Sequence, residues 1–514
     1  MPSHLDFHYS IPERIKAMQS KFVHLGLMLV VFAGMGLAQD LPPYSLDVAK
    51  LTRIVPDTVV YNTGTPNLDN WEPYTSVLGN SVFLIESNTF AEGSTTDQRY
   101  VLTFQPVAGG SPAFGECFFA DDGTPYRGKI NNYRQNGNPG RVAGDKRPGA
   151  VNFITGGEAS PDEFPEFQSD NRWNTGVIRN GRYGTVQIFS LNPTTLVQTP
   201  LTKAFDAING RLTSGNPNTD QISRFGGELA ALDDGNFLVV VEDRSKLFYD
   251  AGNAAVAAIF RPDGSLVKDS FVVAPGDIWS NVCAYKGGFC VRVAGVLYFY
   301  DNAGNLKGQV QQNVEYVTDV GRGDGVRIAS HINSPFVYLA GFDGNEAVRV
   351  VVYDSRTLEF VTETHVNEIA KEYGGQDDVD FLGEFDRVGI AVDALNRIFI
   401  AWELNGLFPK TQIVGRVLKF DDNTKTLTHL TPSFIPFLNT SDNPTHRTIR
   451  VNVSMTTKQL LVAAKGEINS QNNPDADADV PAQTTIYTVL SHPDPQDDPT
   501  PPVSGTNVVE WSLY

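Results

Sequence analysis

The sequence predicts an all-β chain closed into a single β-propeller of seven four-stranded blades, with six or eight as the alternative counts. Three observations predict it. A strand ending in an aromatic residue, followed by a tight polar turn and another strand, recurs along the chain with its aromatic at Phe119, Phe189, Phe260, Tyr300, Tyr353, Phe420 and Tyr487. Arg99 to Phe104 competes with Phe119 for the first copy. Each copy is preceded by a hairpin whose first arm is rich in small residues and whose second arm is strongly apolar, as in 227–242, 281–293 and 388–403. Beyond residue 38, no stretch carries the long 3.6-residue apolar period of a helix. Hairpin plus hairpin makes four antiparallel strands, which is one blade. One blade cannot bury both its faces, whereas a ring of blades can.

The elements follow in order. Blades are expected at 71–125, 141–205, 221–271, 272–322, 323–375, 381–438 and 441–490. The third and fourth are the most regular: the turns at Asp233-Asp234-Gly235-Asn236 and Pro262-Asp263-Gly264 return about fifty residues later at Lys286-Gly287-Gly288 and Asn302-Ala303-Gly304. Residues 39–70 are a lead-in. Closure of the ring needs one strand from 46–61, or the terminal strand in 505–514, to complete the last blade. The segment 491–504 is rich in Pro and Asp and reads as a linker.

The N-terminus carries an address. Phe22 to Leu37 is an apolar run, apart from His24, after Lys21, and Gly36 and Ala38 are small residues at the −3 and −1 positions of a cut after Ala38. That is the pattern of a secretory signal peptide over 1–38, with 1–17 as an upstream extension ahead of Met18. The chain is therefore expected outside the cell or in a periplasm, as a monomer, with no membrane span once the signal is removed. Its 40 Lys and Arg against 59 Asp and Glu give a net charge of −19. A nucleic-acid partner needs a basic footprint and is disfavoured.

Gly389 to Ala401 reads GIAVDALNRIFIA. It resembles the blade pattern of NHL repeats and gluconolactonase-type propellers, G-V-A-V-D-x-x-G-N-I-Y-V-A. It departs by having Asn396 and Arg397 where that pattern has Gly-Asn, and Trp402 where an Asp is usual. The resemblance covers about fifteen residues well and the other blades loosely. It implies propeller class, and it raises a lactonase-like activity as one alternative.

Local catalytic motifs are missing. Five histidines lie beyond residue 38 (His331, His365, His429, His446 and His492), none at H-x-H or H-E-x-x-H spacing, and there is no nucleophile elbow or P-loop. The candidate site is positional. In a propeller the first strand of each blade lines a central channel, and charged or aromatic residues recur there. They are Arg147, Arg224, Glu228, Asp277, Trp279, Asp324, Arg327, Asp386, Arg387, His446 and Arg450, with Trp71 and Glu72 ahead of them. Such a ring suits a polar ligand, or it pairs with itself and holds the blades together. Asp475, Asp477 and Asp479 alternate in a loop that could present oxygens to calcium, although no EF-type Gly and Glu follow. No other cofactor is implied. Cys283 and Cys290 flank one turn symmetrically, either as a cross-strand disulfide or as two small buried hydrophobes.

These readings converge on an extracellular binding or scaffold module for a glycan or a surface protein. The alternative is a secreted enzyme with a funnel site, a lactonase-like hydrolase or a polysaccharide lyase. Whether the chain is catalytic stays open at this point.

Overall fold

Seven antiparallel sheets form the structure, a computed structural model. It describes residues 45–47, 49–59, 68–70, 73–91, 98–105, 113–115, 141–159, 183–202, 205–206, 223–224, 228–243, 254–275, 281–313, 326–343, 348–367, 388–404, 412–437, 446–468, 483–497 and 499. Among these there is no helix, and so none long and apolar enough to cross a membrane.

Each sheet is one blade, its strands ordered from the innermost outward. Blade 1 has Leu68–Asn70 and Tyr74–Leu78 as two pieces of its first strand, then Val82–Ala91, Gln98–Phe104 and Ala113–Gly115. Blade 2 has Arg141–Gly144, Asn152–Ala159 and Tyr183–Leu191, with Gln198–Pro200 and Phe205–Asp206 both pairing the third strand. Blade 3 has Ser223–Arg224 and Leu229–Ala231, then Phe237–Asp243, Ala254–Phe260 and Leu266–Pro275. Blade 4 has Asn281–Tyr285, Gly288–Val293, Val296–Asp301 and Leu306–Gln311. Blade 5 has Val326–Ala329, Phe336–Phe342, Val348–Asp354 and Glu359–His365. Blade 6 has Val388–Val392, Arg397–Leu404, Gln412–Asp421 and Thr426–His429. Blade 7 has His446–Met455, Gln459–Ile468 and Gln483–Ser491, and its fourth strand is Arg53–Val59 from the start of the chain.

The seven-blade expectation is met. In blade 1 the third strand ends at Phe104, and Phe119 lies outside the described residues. The competing copy is thus the one the sheet uses. The other aromatics are all buried on third strands: Phe189, Phe260, Tyr300, Tyr353 and Phe420 near the strand ends, and Tyr487 at mid-strand.

The blade interior follows from the apolar runs. Second and third strands are buried on both faces, as in Phe336–Phe342 and Ala254–Phe260, because a neighbouring blade covers each side. Fourth strands alternate toward solvent, as in Leu306–Gln311. Apolar clusters fill every junction: Phe153 with Leu84 between blades 1 and 2, Ile188 with Val239 between 2 and 3, and Leu238 with Phe289 between 3 and 4. Phe299 packs with Leu339 between 4 and 5, Tyr338 with Ile400 between 5 and 6, and Phe399 with Val462 between 6 and 7. Phe83 with Leu461 and Tyr487 joins blade 7 to blade 1. Each such side chain taken fully out of water contributes about 1.5–3 kcal/mol, so the junction that closes the ring is stabilised in the same way as the others.

Closure is made by backbone pairing as well. Arg53 lies opposite Leu490 and Val59 opposite Ile486, with a bulge between. Thr488 Oγ1 donates to the Val55 carbonyl at 2.9 Å, and Ser491 N donates to the Thr52 carbonyl at 2.8 Å. On the inner side, the Ser454 and Thr75 hydroxyls meet at 2.9 Å across the same junction. The 46–61 segment therefore supplies the closing strand. Val508 to Leu513, the other candidate, lies outside the described residues.

The departure from the NHL-like pattern in blade 6 has a physical reason. Asn396 holds φ at +57°, the left-handed conformation a Gly would supply. Asp393 Oδ1 accepts the backbone N–H groups of Leu395 and Arg397, each at 2.9 Å, and closes the turn. Arg397 is fully buried, pairs with Asp393 at 2.6 Å, and donates to the Thr457 carbonyl at 2.7 Å and to the Asp494 carbonyl. It thereby ties blade 6 to the first hairpin of blade 7 and to residues 492–497. Those residues also bond to that hairpin turn, through His492 N to the Lys458 carbonyl at 2.8 Å.

Candidate functional site: the central channel

The first strands of all seven blades surround one cavity of about 160 Å³. Much of its wall is small or aliphatic, with Val77, Gly144, Ala231, Ala284, Ala329, Ala391 and Val453 among the lining residues. Small side chains there are what leave the axis open. Gly144 is needed for another reason: a Cβ would sit 2.4 Å from the Val77 carbonyl oxygen, so only glycine lets the first strands of blades 1 and 2 approach this closely.

The first strands run in the same direction, which gives the channel an entry end and an exit end. At the exit end the turns that follow these strands bond to one another round the ring. Gly79 N donates to the Asp145 carbonyl, Arg147 Nη1 to the Asp234 carbonyl, Gly287 N to Asp233 Oδ2, and Lys286 N to the Ser334 carbonyl.

At the entry end, five consecutive blades each contribute one polar or aromatic side chain. They are Tyr74, Arg141, Glu228, Asn281 and Arg327, from blades 1 to 5. Glu228 is the hub. Its Oε1 accepts from Arg327 Nη1 at 2.5 Å and from Asn281 Nδ2 at 3.4 Å, and its Oε2 accepts from Val282 N at 3.0 Å. Arg141 Nη2 stands 4.0 Å from the same Oε1, and its guanidinium lies 3.5 Å over the Tyr74 ring. That stacking is a cation–π contact, about 0.5–2 kcal/mol depending on desolvation. Arg141 and Asn281 are buried, and Glu228 is partly exposed.

The predicted ring is thus divided. Glu228 and Arg327 meet at the entry end as a bonded pair. Arg147 belongs to the exit end, where its guanidinium is held by Asp145 at 2.7 Å, a bond that raises the Arg147 pKa further. It lies flat against Gly235, where a Cβ would come within 1.9 Å of Nη2. Arg224 is opposite Glu242 in the outer piece of blade 3's first strand. His446 and Arg450 lie on the first strand of blade 7, Arg450 at a register shift between Ile449 and Asn452. Asp277, Trp279, Asp324, Asp386 and Arg387 fall outside the described residues, as do Trp71 and Glu72 and the calcium candidates Asp475, Asp477 and Asp479. Among the described residues no three His, Cys, Asp or Glu side chains gather as a metal-binding group.

Cys283 and Cys290 are direct cross-strand partners, as their symmetry about the Lys286-Gly287 turn implies, and the structure has both as buried free thiols. Burial pushes both thiols well above the ordinary range. Cys283 lines the channel.

Tyr74, Arg141, Asn281 and Lys146 were not singled out by the sequence reading. Arg141 opens a strand of only four residues, Arg141–Gly144, too short for a repeat signal. The usable signal was positional: each of the other three stands within a few residues of a first-strand boundary.

No protein-family model matches this chain, and no curated protein matches it. Solved structures do, at low identity. Pyrococcus horikoshii acylaminoacyl peptidase is 11% identical with a TM-score of 0.39; the match covers 83% of this chain and 53% of that one, so this chain spans about half the peptidase's length. The β-propeller domain of the Trilobed protease from Pyrococcus furiosus is 11% identical, with a TM-score of 0.37 over 84% of this chain and 100% of the domain. Pseudomonas aeruginosa periplasmic gluconolactonase is 12% identical, with a TM-score of 0.40 over 79% of this chain and 99% of that one. The class defined by this chain's own sheets is the seven-bladed β-propeller.

Proposed function

We propose that this protein is an exported binding propeller that takes an acidic glycan, or an acidic protein side chain, at the entry end of its channel. The observation that carries the reading is the convergence of Tyr74, Arg141, Glu228, Asn281 and Arg327 from five successive blades on one level of the channel. Two guanidinium groups face one carboxylate there. Planar guanidinium forks match carboxylates in geometry and charge, so a ligand carboxylate can bridge Arg141 and Arg327 by competing with Glu228. A protein of net charge −19 that concentrates cations on its axis attracts such a ligand to that point and repels it elsewhere. The signal-like run Phe22 to Leu37 supports export. The test is a glycan array spanning neutral and acidic sugars, run alongside a cell-surface pull-down. The reading expects retention of acidic members, lost on Arg141→Met. Retention of neutral sugars alone, or of nothing in either assay, would remove it.

A further inference from the structure

We propose that the exit half of the channel is a binding site for a short-chain carboxylate, held through the ammonium of Lys146. The site lies at the opposite end of the channel from the Glu228 cluster and does not rest on the glycan reading.

Lys146 follows the first strand of blade 2 and lines the cavity. Among the described residues its amine has no hydrogen-bond or ion-pair partner. The adjacent carboxylate, Asp145, is taken: both its oxygens accept from Arg147 Nε at 3.1 Å, and Oδ2 accepts from Arg147 Nη2 at 2.7 Å. The groups that feel the Lys146 charge are Cys283 and His331, and neither is an anion. Burial pushes the Cys283 thiol up, so it stays protonated. His331 is held down to about 3, chiefly by desolvation, and stays neutral at physiological pH. Desolvation likewise lowers the Lys146 pKa. A partly buried cation on this wall has, among the described residues, no acidic group in contact with it, and an incoming anion offsets the cost of its desolvation.

The cavity selects the kind of anion. Over its whole length the channel holds about 160 Å³, roughly ten times what a single water needs, so even its exit half exceeds a single halide. Toward the ends of the first strands the lining includes Val77, Ala231, Ala284, Ile332 and Met455, which suit a short hydrocarbon chain. A carboxylate head on Lys146 with two to four carbons behind it satisfies both surfaces.

The experiment titrates the full chain with butyrate, acetate and butan-1-ol by saturation-transfer NMR, for the wild type and Lys146→Met. Butyrate is expected to bind more tightly than acetate, butan-1-ol not measurably, and Lys146→Met to weaken butyrate by at least about tenfold. A second measurement needs no variant: acetylation of Lys146 by acetic anhydride, followed by peptide mass spectrometry. Butyrate at ten times its dissociation constant should slow it about tenfold, by occupancy. Equal binding of butyrate by Lys146→Met, equal protection by butan-1-ol, or no protection by butyrate would each overturn the proposal.

Discussion

Glu228 and Arg327 are 99 positions apart and belong to blades 3 and 5, yet their side chains are bonded at 2.5 Å across the channel entrance. The blade between them contributes to the same carboxylate through Asn281 Nδ2 and Val282 N. Three blades are therefore fastened by one glutamate. The group that organises the candidate site is also the group that a ligand carboxylate would have to replace.

Glu228→Gln should separate these two roles. Both partners are only 10–15% exposed, so losing the ion pair is expected to cost about 1–3 kcal/mol, below the 3–5 kcal/mol of a fully buried pair. The same change leaves two guanidinium groups without the competing charge. The variant is expected to melt earlier and to bind an acidic ligand more tightly, read by calorimetry and titration together. A drop in both would show that Glu228 acts only as a fastener.

Arg397→Met tests the tie between blades 6 and 7. It strips four anchoring bonds and leaves Asp393, 1% exposed, as a buried uncompensated carboxylate. The expected loss is about 3–5 kcal/mol in chemical denaturation. The double variant with Asp393→Leu should recover part of it, since the stranded charge is then gone.

The acid limb of the stability profile should carry a histidine signature. His331 and His492 are both held to about 3, by desolvation first, against an ordinary value of 6.5. The unfolded chain therefore binds more protons than the folded one between those values. Stability is full above pH 6.5 and is lost as pH falls toward 3. Between pH 7 and 5, above the carboxylate range, the melting temperature is expected to fall, and a His331→Asn, His492→Asn variant to flatten that slope.

Removing residues up to 60 should open the ring. The deletion takes away Arg53–Val59, leaves the outer edge of Gln483–Ser491 unpaired, and strips Val55 from the junction between blades 7 and 1. An unpaired strand edge of this length is a template for association. Size-exclusion chromatography is expected to show aggregates or higher oligomers where the intact chain elutes as one species.

The blades were legible because burial on both faces forces apolar runs such as Phe237–Asp243 and Phe336–Phe342, and the turns between them need Gly, Asn or Asp. The closing strand was legible as an unassigned alternating segment. The site was only half legible. Glu228 and Arg327 stood out as charges beside first strands, but nothing local says that one lies across the channel from the other. Arg147 looked equivalent to them because distance from a strand is visible in sequence, whereas the end of the channel it faces depends on whether it precedes or follows that strand. Lys146 is hidden for a related reason: a lysine between an aspartate and an arginine reads as part of a solvated charge run, and only the ring closing round it makes it line the channel.

The central claim is that the entry cluster is a ligand site and not merely a set of fasteners. Its most direct test is a titration of wild-type protein and Arg141→Met with the acidic oligosaccharide best retained on the array, melting temperatures being recorded for both. The account predicts that affinity falls at least about tenfold, equivalent to about 1.4 kcal/mol, while the ring stays folded. Unchanged affinity in a folded Arg141→Met protein would contradict it.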